Sequence, residues 1–550
     1  MDTIFNKNNI IYFLLIIIVL IFLLTFKNYG IGIEEHFQRK SGFYWLNYLL
    51  NFTNFDSLKN LTETKIIEIN TFTPNLFPIE EVPYYGVLFD LPLAYIETFF
   101  NISDPINYFY LRHVSISAFF LLSGFYFYKI INLRFNNLYL ALFGFLIFVF
   151  TPRIYGNAFF DNKDILFLSM FTINMYFYLK FNKTNRIKDL IIFALLCAFS
   201  TSTRIIGILI PFSFYILLLF KSISEKRIKD NIKIFFIFTL SFLIFLFIHW
   251  PYLWTLNISQ WLNFFSPFFQ AMNPTVFFNG EFYQSKFLPM HYLPLWIILT
   301  TPAYLILIFL LGFVYQTRRF FLRFILIEES KLLYKDDLWR SNNEKYDLYI
   351  FLNFLSVIIL YFSTKLALLS GWRHFYFLNF FIIYYSCFFI FILMNLLRNK
   401  DNLKKTFIYS LIFFIILHFS DLYKYHPFQS VYFNNLISDN YKKKFEVDTQ
   451  SISRVHAIKE ILKDNKNTIL ISTASWTPLE NARSLIERKY WDKLVFLGTN
   501  NKEKADYIYS NHYYEVNTNF NKKYEIPENF SLYKTLKIDG TRIYSIYKKN

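Results

Sequence analysis

The sequence predicts a polytopic α-helical membrane protein with about eleven transmembrane helices and a small C-terminal α/β exterior domain. Three observations carry this. Of 550 residues, 55% are hydrophobic, and 73 Phe with 42 Tyr exceed what a soluble core of this length needs. Apolar runs of about 17–22 residues recur, each long enough to cross a hydrocarbon layer of roughly 30 Å. Beyond about residue 421 the pattern changes to short strands separated by polar turns. Scarce Gly beside abundant Asn, Lys, Ile and Phe also suggests an AT-rich genome, so codon bias contributes to the aromatic excess.

The apolar runs place spans at 10–26, 108–128, 138–151, 165–181, 190–203, 205–220, 234–254, 291–315, 348–364, 375–397 and 406–420. The first, "IIYFLLIIIVLIFLLTF", has no small-residue cleavage site and runs straight into "KNYGIGIEEHF". It reads as an uncleaved span rather than a signal peptide. Residues 27–107 form a first exterior loop. Within it, "EEVPYYGVLFDLPLAYIETFF" has apolar residues on one helical face with Asp90 and Glu97 on the other, as an interfacial helix would. A second exterior loop, 252–290, is rich in Trp and Phe and suits the headgroup layer. Residues 1–420 are thus expected to be one membrane domain. Residues 421–550 are expected to be an α/β domain, with the helix "SISRVHAIKEILKD", the strands "NTILIST", "DKLVFLG" and "ADYIYSN", and a hairpin closed by Asp-Gly in "SLYKTLKIDGTRIYSIYK". Cys197 and Cys387 both lie in expected spans, which leaves no disulfide framework and no metal-type cysteine cluster.

The net charge of +17 records topology rather than an affinity for nucleic acid. Loops 129–137, 180–189, 221–233, 316–347 and 398–405 hold 22 Lys and Arg in 72 residues. The opposite loops hold about 11 in roughly twice that length. Lys and Arg accumulate on the cytoplasmic side, so the N-terminus is expected inside, with the long loops and the C-terminal domain outside. No Walker-type glycine loop or nucleotide fingerprint occurs, which removes support for ATP-driven transport within this chain.

The charged residues that cytoplasmic loops do not explain gather on the outer side. Glu34 and Glu35 follow span one. Arg153, Asp161, Lys163 and Asp164 lie in "PRIYGNAFFDNKDILF", Arg204 in the short turn "STSTRIIG", His249 in "IHWPYLW", and Lys365, Arg373 and His374 in "KLALLSGWRHFYF". Ionisable groups at membrane depth normally face a polar cavity or a partner. Carboxylates accept protons or grip hydroxyls, while Arg, Lys and His clamp phosphate oxygens. Together, opening toward lipid, they suit a lipid-phosphate donor and a hydroxylated acceptor. Each also has a plainer role: Asp161 and Asp164 as helix caps, Arg153 and Lys163 as snorkelling anchors, Arg204 in a structural ion pair, His249 as a satisfied core histidine.

The stretch "PRIYGNAFFDNKDILF" resembles the Pro-Arg-aromatic-(Tyr/Phe)-Gly…Phe-Asn-Pro-Lys-Asp segment of bacterial GT-C fold glycosyltransferases, in the protein O-mannosyltransferase and aminoarabinose-transferase group. "YYGVLFDLP", "STSTRIIG", "WPYLW", "GWRHFYFL" and "HPFQSVYFNNL" resemble that family's further landmarks in the same order, over nearly the whole chain. The resemblance implies a polyprenyl-phosphate-linked sugar as donor and transfer on the periplasmic face of a bacterial inner membrane. The family's hallmark acidic pair corresponds to Glu34-Glu35, with Glu standing where Asp is usual, and either acid could be the base. Asp161-Asn162 stands where Asn-Pro is expected, although Lys163-Asp164 is retained. By this resemblance Glu34, Glu35 and Asp164 are catalytic. Tyr85, Arg153, Asp161, Lys163, Arg204, His249, Arg373 and His374 bind substrate.

The expected reaction inverts the anomeric carbon, with Glu34 or Glu35 deprotonating the acceptor and the basic groups stabilising the departing phosphate. No organic cofactor is required, and a divalent metal is compatible with the carboxylates without any spacing that demands one. The acceptor is a glycan, a lipid or a protein hydroxyl. The alternatives are a flippase for a lipid-linked sugar, which would also need polar residues through the inner halves of the spans, and a membrane scaffold whose exterior domain binds partners.

Overall fold

The computed structural model describes residues 7–72, 84–225, 228–264, 273–325, 342–364, 366–464, 466–513 and 522–550. The chain is largely helical. Helix α1 (Lys7–Thr25) leads to α2 (Glu35–Leu50), α3 (Asp56–Phe72) and α4 (Asp90–Phe99). Helices α5 (Pro105–Phe135), α6 (Leu138–Phe150), the short α7 (Pro152–Asn157), α8 (Asp164–Thr184), α9 (Ile187–Thr203), α10 (Leu209–Glu225) and α11 (Ile228–His249) follow. Local chemistry sets several of these ends. Asp104 caps α5, accepting from Ile106 N at 3.3 Å ahead of Pro105. The helix stops at Asn136, whose φ of 49° lies in the left-handed region that Asn tolerates. Asn137 then caps α6 through Leu140 N at 3.0 Å.

Among the described residues seven helices are long and apolar enough to span a membrane: Pro105–Phe135, Ile205–Ser222, Ile228–His249, Ala303–Leu322, Asn343–Ser363, Leu378–Leu396 and Asp401–Lys424. This corrects the expected eleven. The four that drop out are 10–26, 138–151, 165–181 and 190–203. Helix α6 has 13 residues and α9 has 17, or about 20 and 25 Å at 1.5 Å per residue, short of a roughly 30 Å core. The apolar part of the first segment, Phe13–Asn28, is also short. Helix α8 has 21 residues but carries Asp164, Asn174 and Lys180, and it packs against α5 and α9 with most of its length buried. A helix enclosed by other helices does not need the apolarity that lipid demands of an exposed one. An apolar run in sequence can therefore mark a helix buried among other helices as well as a span.

The interfacial helix expected near 80–100 is α4, and its acidic residues are paired with arginines, Glu97 buried and Asp90 partly exposed. Glu97 pairs with Arg39 of α2, whose Nε lies 3.1 Å from Glu97 Oε2, and Asp90 pairs with Arg112 of α5. Tyr95, Phe99 and Phe100 are its exposed large apolar side chains. Residues 80–83 of the quoted stretch lie outside the described residues.

After the short α12 (Ile258–Leu262), the strands β1 (Thr275–Phe278) and β2 (Glu281–Gln284) form an antiparallel hairpin. Helices α13 (Tyr292–Thr300) and α14 (Ala303–Ile325) split one expected span at Thr301-Pro302. Helices α15 (Asn342–Ser363), α16 (Leu378–Leu396) and α17 (Asp401–Lys424) complete the bundle, and α18 (Asp439–Lys442) and α19 (Ser453–Ile461) precede the C-terminal strands. Strands β3 (Ile469–Thr473), β4 (Leu494–Phe496), β5 (Tyr507–Ser510), β6 (Phe530–Ile538) and β7 (Thr541–Lys549) make one mixed sheet in the order β4-β3-β5-β7-β6. Strand β3 runs parallel to β4 and β5, whereas β7 is antiparallel to β5 and β6. Asp539 and Gly540, both at positive φ, close the β6–β7 hairpin.

Candidate active site

Glu34 precedes α2, and its carbonyl accepts from Gln38 N at 2.9 Å as that helix begins. The C-terminal region holds the loop that carries it. Ile33 N donates to Gln450 O at 3.1 Å, and buried Arg454 donates from Nη2 to Ile31 O at 3.0 Å. Gly30 lies so close to the segment that a Cβ there would fall 2.2 Å from Ile452 O, which only glycine avoids.

The adjacent acids diverge. Glu35 turns inward, where its Oε2 accepts from Gly32 N at 2.8 Å and lies 3.2 Å from His113 Nε2 of α5, with both side chains fully buried. Glu34 instead pairs with Arg373, which follows α15 in the short helical turn Arg373–Phe375. Arg373 Nε lies 4.0 Å from Asp164 Oδ2, so one guanidinium stands between two carboxylates. Asp164 opens α8, and its backbone N donates to Asp161 Oδ1 at 3.0 Å. Its carboxylate pairs with Arg204 at the end of α9. Lys163 places its ammonium over the Tyr85 ring, 2.9 Å from the centroid. The Tyr85 stretch is fixed in turn by Gly86 N, which donates to Ser202 O at 2.9 Å; a side chain at Gly86 would strike Ser202.

Glu34 at the start of α2, Asp161, Lys163 and Asp164 at the start of α8, Arg204 at the end of α9 and Arg373 in the turn before α16 therefore meet at one end of the bundle. Burial pushes the Glu34 carboxyl up, but Arg373, Lys163 and Arg204 outweigh it and hold it at about 2. Burial raises Asp164 despite Arg204 and Arg373, and burial with neighbouring Asp164 raises Asp161 well above the usual carboxylate range. His374 is held well below its ordinary value by burial and by Arg204, Arg373 and Lys163, which leaves its imidazole neutral. If Asp161 keeps its proton, three cations face two carboxylates, a balance that favours an anionic ligand.

Two expected site residues lie elsewhere. His249 is occupied inside the fold, 2.6 Å from Ser202 Oγ and 2.5 Å from Phe245 O. Arg153 of α7 lies over the Trp296 and Phe433 rings at 5.1 and 6.0 Å, in a neighbouring cavity. That cavity shares Arg373 as a wall and includes Glu446 and Gln450. Neither of these two residues stood out in the sequence, where "KFEVDTQS" reads as an ordinary polar connector. The pairs Arg39–Glu97 and Arg112–Asp90 and the residue His113 were missed for the same reason: their partners are 58, 22 and 78 residues away. Lys365 lies outside the described residues. Among the described residues no group of three or more His, Cys, Asp or Glu is arranged to hold a metal ion.

Compared with known proteins, residues 93–250 match the family described as dolichyl-phosphate-mannose-protein mannosyltransferase. A search of curated proteins gives no match. The matched segment contains α5 to α11 and thus Asp161, Lys163, Asp164 and Arg204, whereas Glu34 and Arg373 lie outside it. The chain accordingly carries, over residues 93–250, a glycosyltransferase domain related to the protein mannosyltransferases.

Proposed function

We propose that this protein is an inverting glycosyltransferase that moves a sugar from a polyprenyl-phosphate donor to an acceptor hydroxyl of a glycan, a lipid or a protein. The reaction takes place at the outer face of a bacterial inner membrane, with the Glu34 loop and the segment 446–450 that holds it both on that face. One observation carries the reading. Glu34 and Asp164, remote in sequence, meet across Arg373 beside Arg204 and Lys163, and three of these five belong to the mannosyltransferase-related segment.

The chemistry follows from those contacts. Glu34 is ionised but a weak base while Arg373 holds it near a pKa of about 2. A donor phosphate competes for Arg373 and for Arg204. As the guanidinium turns to phosphate oxygens, Glu34 loses its counter-charge and its basicity rises. The acceptor hydroxyl then gives its proton to Glu34 while its oxygen attacks the anomeric carbon. The bond from that carbon to the phosphate oxygen breaks, and its electron pair leaves on polyprenyl phosphate. Arg204, Arg373 and Lys163 stabilise the charge that collects there. Asp164 fixes both arginines and faces the sugar. Glu35 serves the loop, through Gly32 and His113, as a positioning residue.

The test is release of polyprenyl phosphate from a panel of polyprenyl-phosphate sugars by the full-length protein in lipid, with an envelope extract as the source of acceptors. Release from one donor, lost in Glu34→Gln, supports the reading. Relocation of intact donor across the bilayer without release would make the protein a flippase instead.

A further inference from the structure

The connector 446–450, between α18 and α19, reaches the loops that carry both partners of the Glu34–Arg373 pair. At one end Gln450 O accepts from Ile33 N at 3.1 Å, next to Glu34. At the other end Glu446 Oε1 accepts from Gly371 N at 3.3 Å, two residues before Arg373. The connector is itself fixed. Asp448, buried between these ends, accepts from Ile452 N at 3.0 Å and from Ser453 N at 3.1 Å at the start of α19. Glu446 N lies 3.4 Å from Phe277 O of β1.

The turn that Glu446 meets needs a holder. Ser370 and Gly371 have φ of 58° and 69°, two successive residues in the left-handed region. Glycine adopts that conformation freely, whereas a serine keeps it only where the surroundings hold it there. Successive N–H groups in such a turn converge into a concavity that suits an anionic oxygen. Here the Glu446 carboxyl fills it, faced by the Ser370 and Gly371 N–H groups and by the Tyr513 hydroxyl. The space around the turn is tight, since a Cβ at Gly371 would lie 3.2 Å from Arg153 Nη1. Just beyond, the fully buried Trp372 donates from Nε1 to Thr300 Oγ1 of α13 at 2.8 Å. Arg373 follows directly, so the guanidinium that reaches Glu34 and Asp164 starts from a backbone set by Glu446 and Thr300.

We infer that Glu446 is a positioning residue for the transfer: it holds the Ser370-Gly371 turn in the shape that aims Arg373 at Glu34 and Asp164, while the same connector fixes the Glu34 loop through Gln450. This rests on the transferase reading for what Arg373 does in the reaction. The C-terminal region thus sets the register between the base and the phosphate clamp without touching substrate, and Glu446 acts only through Arg373.

Hydrogen exchange of the full-length protein in nanodiscs, read by mass spectrometry on peptides across 366–377, tests the hold on the turn without turnover. Exchange there should quicken about fivefold or more in Glu446→Ala and stay near wild type in Glu446→Gln, which keeps an acceptor for Gly371 N. Gly371→Ala strains the same turn from its own side and should act like Glu446→Ala; it carries the test where Glu446→Ala does not fold. In polyprenyl-phosphate release, Glu446→Ala should raise the donor KM about fivefold, and Glu446→Gln should recover it. Once Arg373 is already alanine, Glu446→Ala should add less than about twofold, because it acts through that residue. Unchanged exchange in the folded variants, or effects of Glu446→Ala and Arg373→Ala on KM that multiply, overturns the inference. If no donor is consumed, the transferase reading falls, while quickened exchange across 366–377 still assigns Glu446 to the turn.

Discussion

Replacing Glu446 by Gln should stabilise the protein at high pH and leave it unchanged at low pH. The side chain is 4% exposed, and burial raises its carboxyl from 4.5 to about 7. In the unfolded chain the acid ionises near its ordinary value. Between the two values the folded state holds a proton that the unfolded state has lost, so folding stability falls as pH rises. Below about pH 4.5 both states are neutral and Glu behaves as Gln. Above about pH 7 the folded protein carries an ionised carboxylate in a poorly hydrated place. At about 1.4 kcal/mol per pH unit the full difference is about 3 kcal/mol, with most of the change between pH 5 and 7. Thermal unfolding followed by intrinsic fluorescence in detergent, at half-unit steps from pH 4.5 to 8.5, measures it. The variant and wild type should melt together at the acid end and diverge steadily above pH 5, with Glu446→Gln higher. A gap that does not vary with pH, or wild type the more stable at pH 8.5, would refute the reasoning, because it would mean that the hydrogen bonds from Gly371, Ser370 and Tyr513 stabilise the anion at least as much as burial penalises it.

Four further outcomes are expected. Glu34→Gln should lower polyprenyl-phosphate release by roughly 10²–10⁴-fold, the range for removal of a general base, in a protein that still binds donor; Glu35→Gln should act mainly on stability, because its oxygens serve Gly32 and His113. Arg39→Ala leaves Glu97 buried without its partner and should cost about 3–5 kcal/mol, seen as a large drop in melting temperature, while the donor KM of the folded fraction stays near wild type. His249→Asn should change release kinetics by less than about threefold and reduce stability by about 1 kcal/mol, since the ring's partners are Ser202 and the Phe245 carbonyl.

The contrast between Glu34 and Glu35 shows what a linear reading of neighbouring residues misses. Adjacent positions at a helix start project in different directions, and only the packing partners decide which one reaches the cations. Here His113 of α5 takes Glu35 and Arg373 takes Glu34.

Sequence alone determined that this is a helical chain made for lipid contact, because apolar run length and Lys/Arg placement follow directly from hydrocarbon thickness and charge. It also marked Glu34, Asp161, Lys163, Asp164, Arg204 and Arg373, since charges that adjoin apolar runs need a reason to be there. The β6–β7 hairpin was legible from its Asp-Gly turn. Tertiary structure decided the rest. It reduced eleven apolar runs to seven helices able to span, because α6 and α9 are too short and α8 is enclosed by its neighbours. It turned the acids of α4 inward onto Arg39 and Arg112, removed His249 from the site, and moved Arg153 to a second cavity. It also brought Glu446 and Gln450 from beyond the bundle to the loop that holds Glu34. Periodicity and charge are local properties that a sequence displays, whereas the partner of a buried polar group is chosen by chain packing across tens to hundreds of residues.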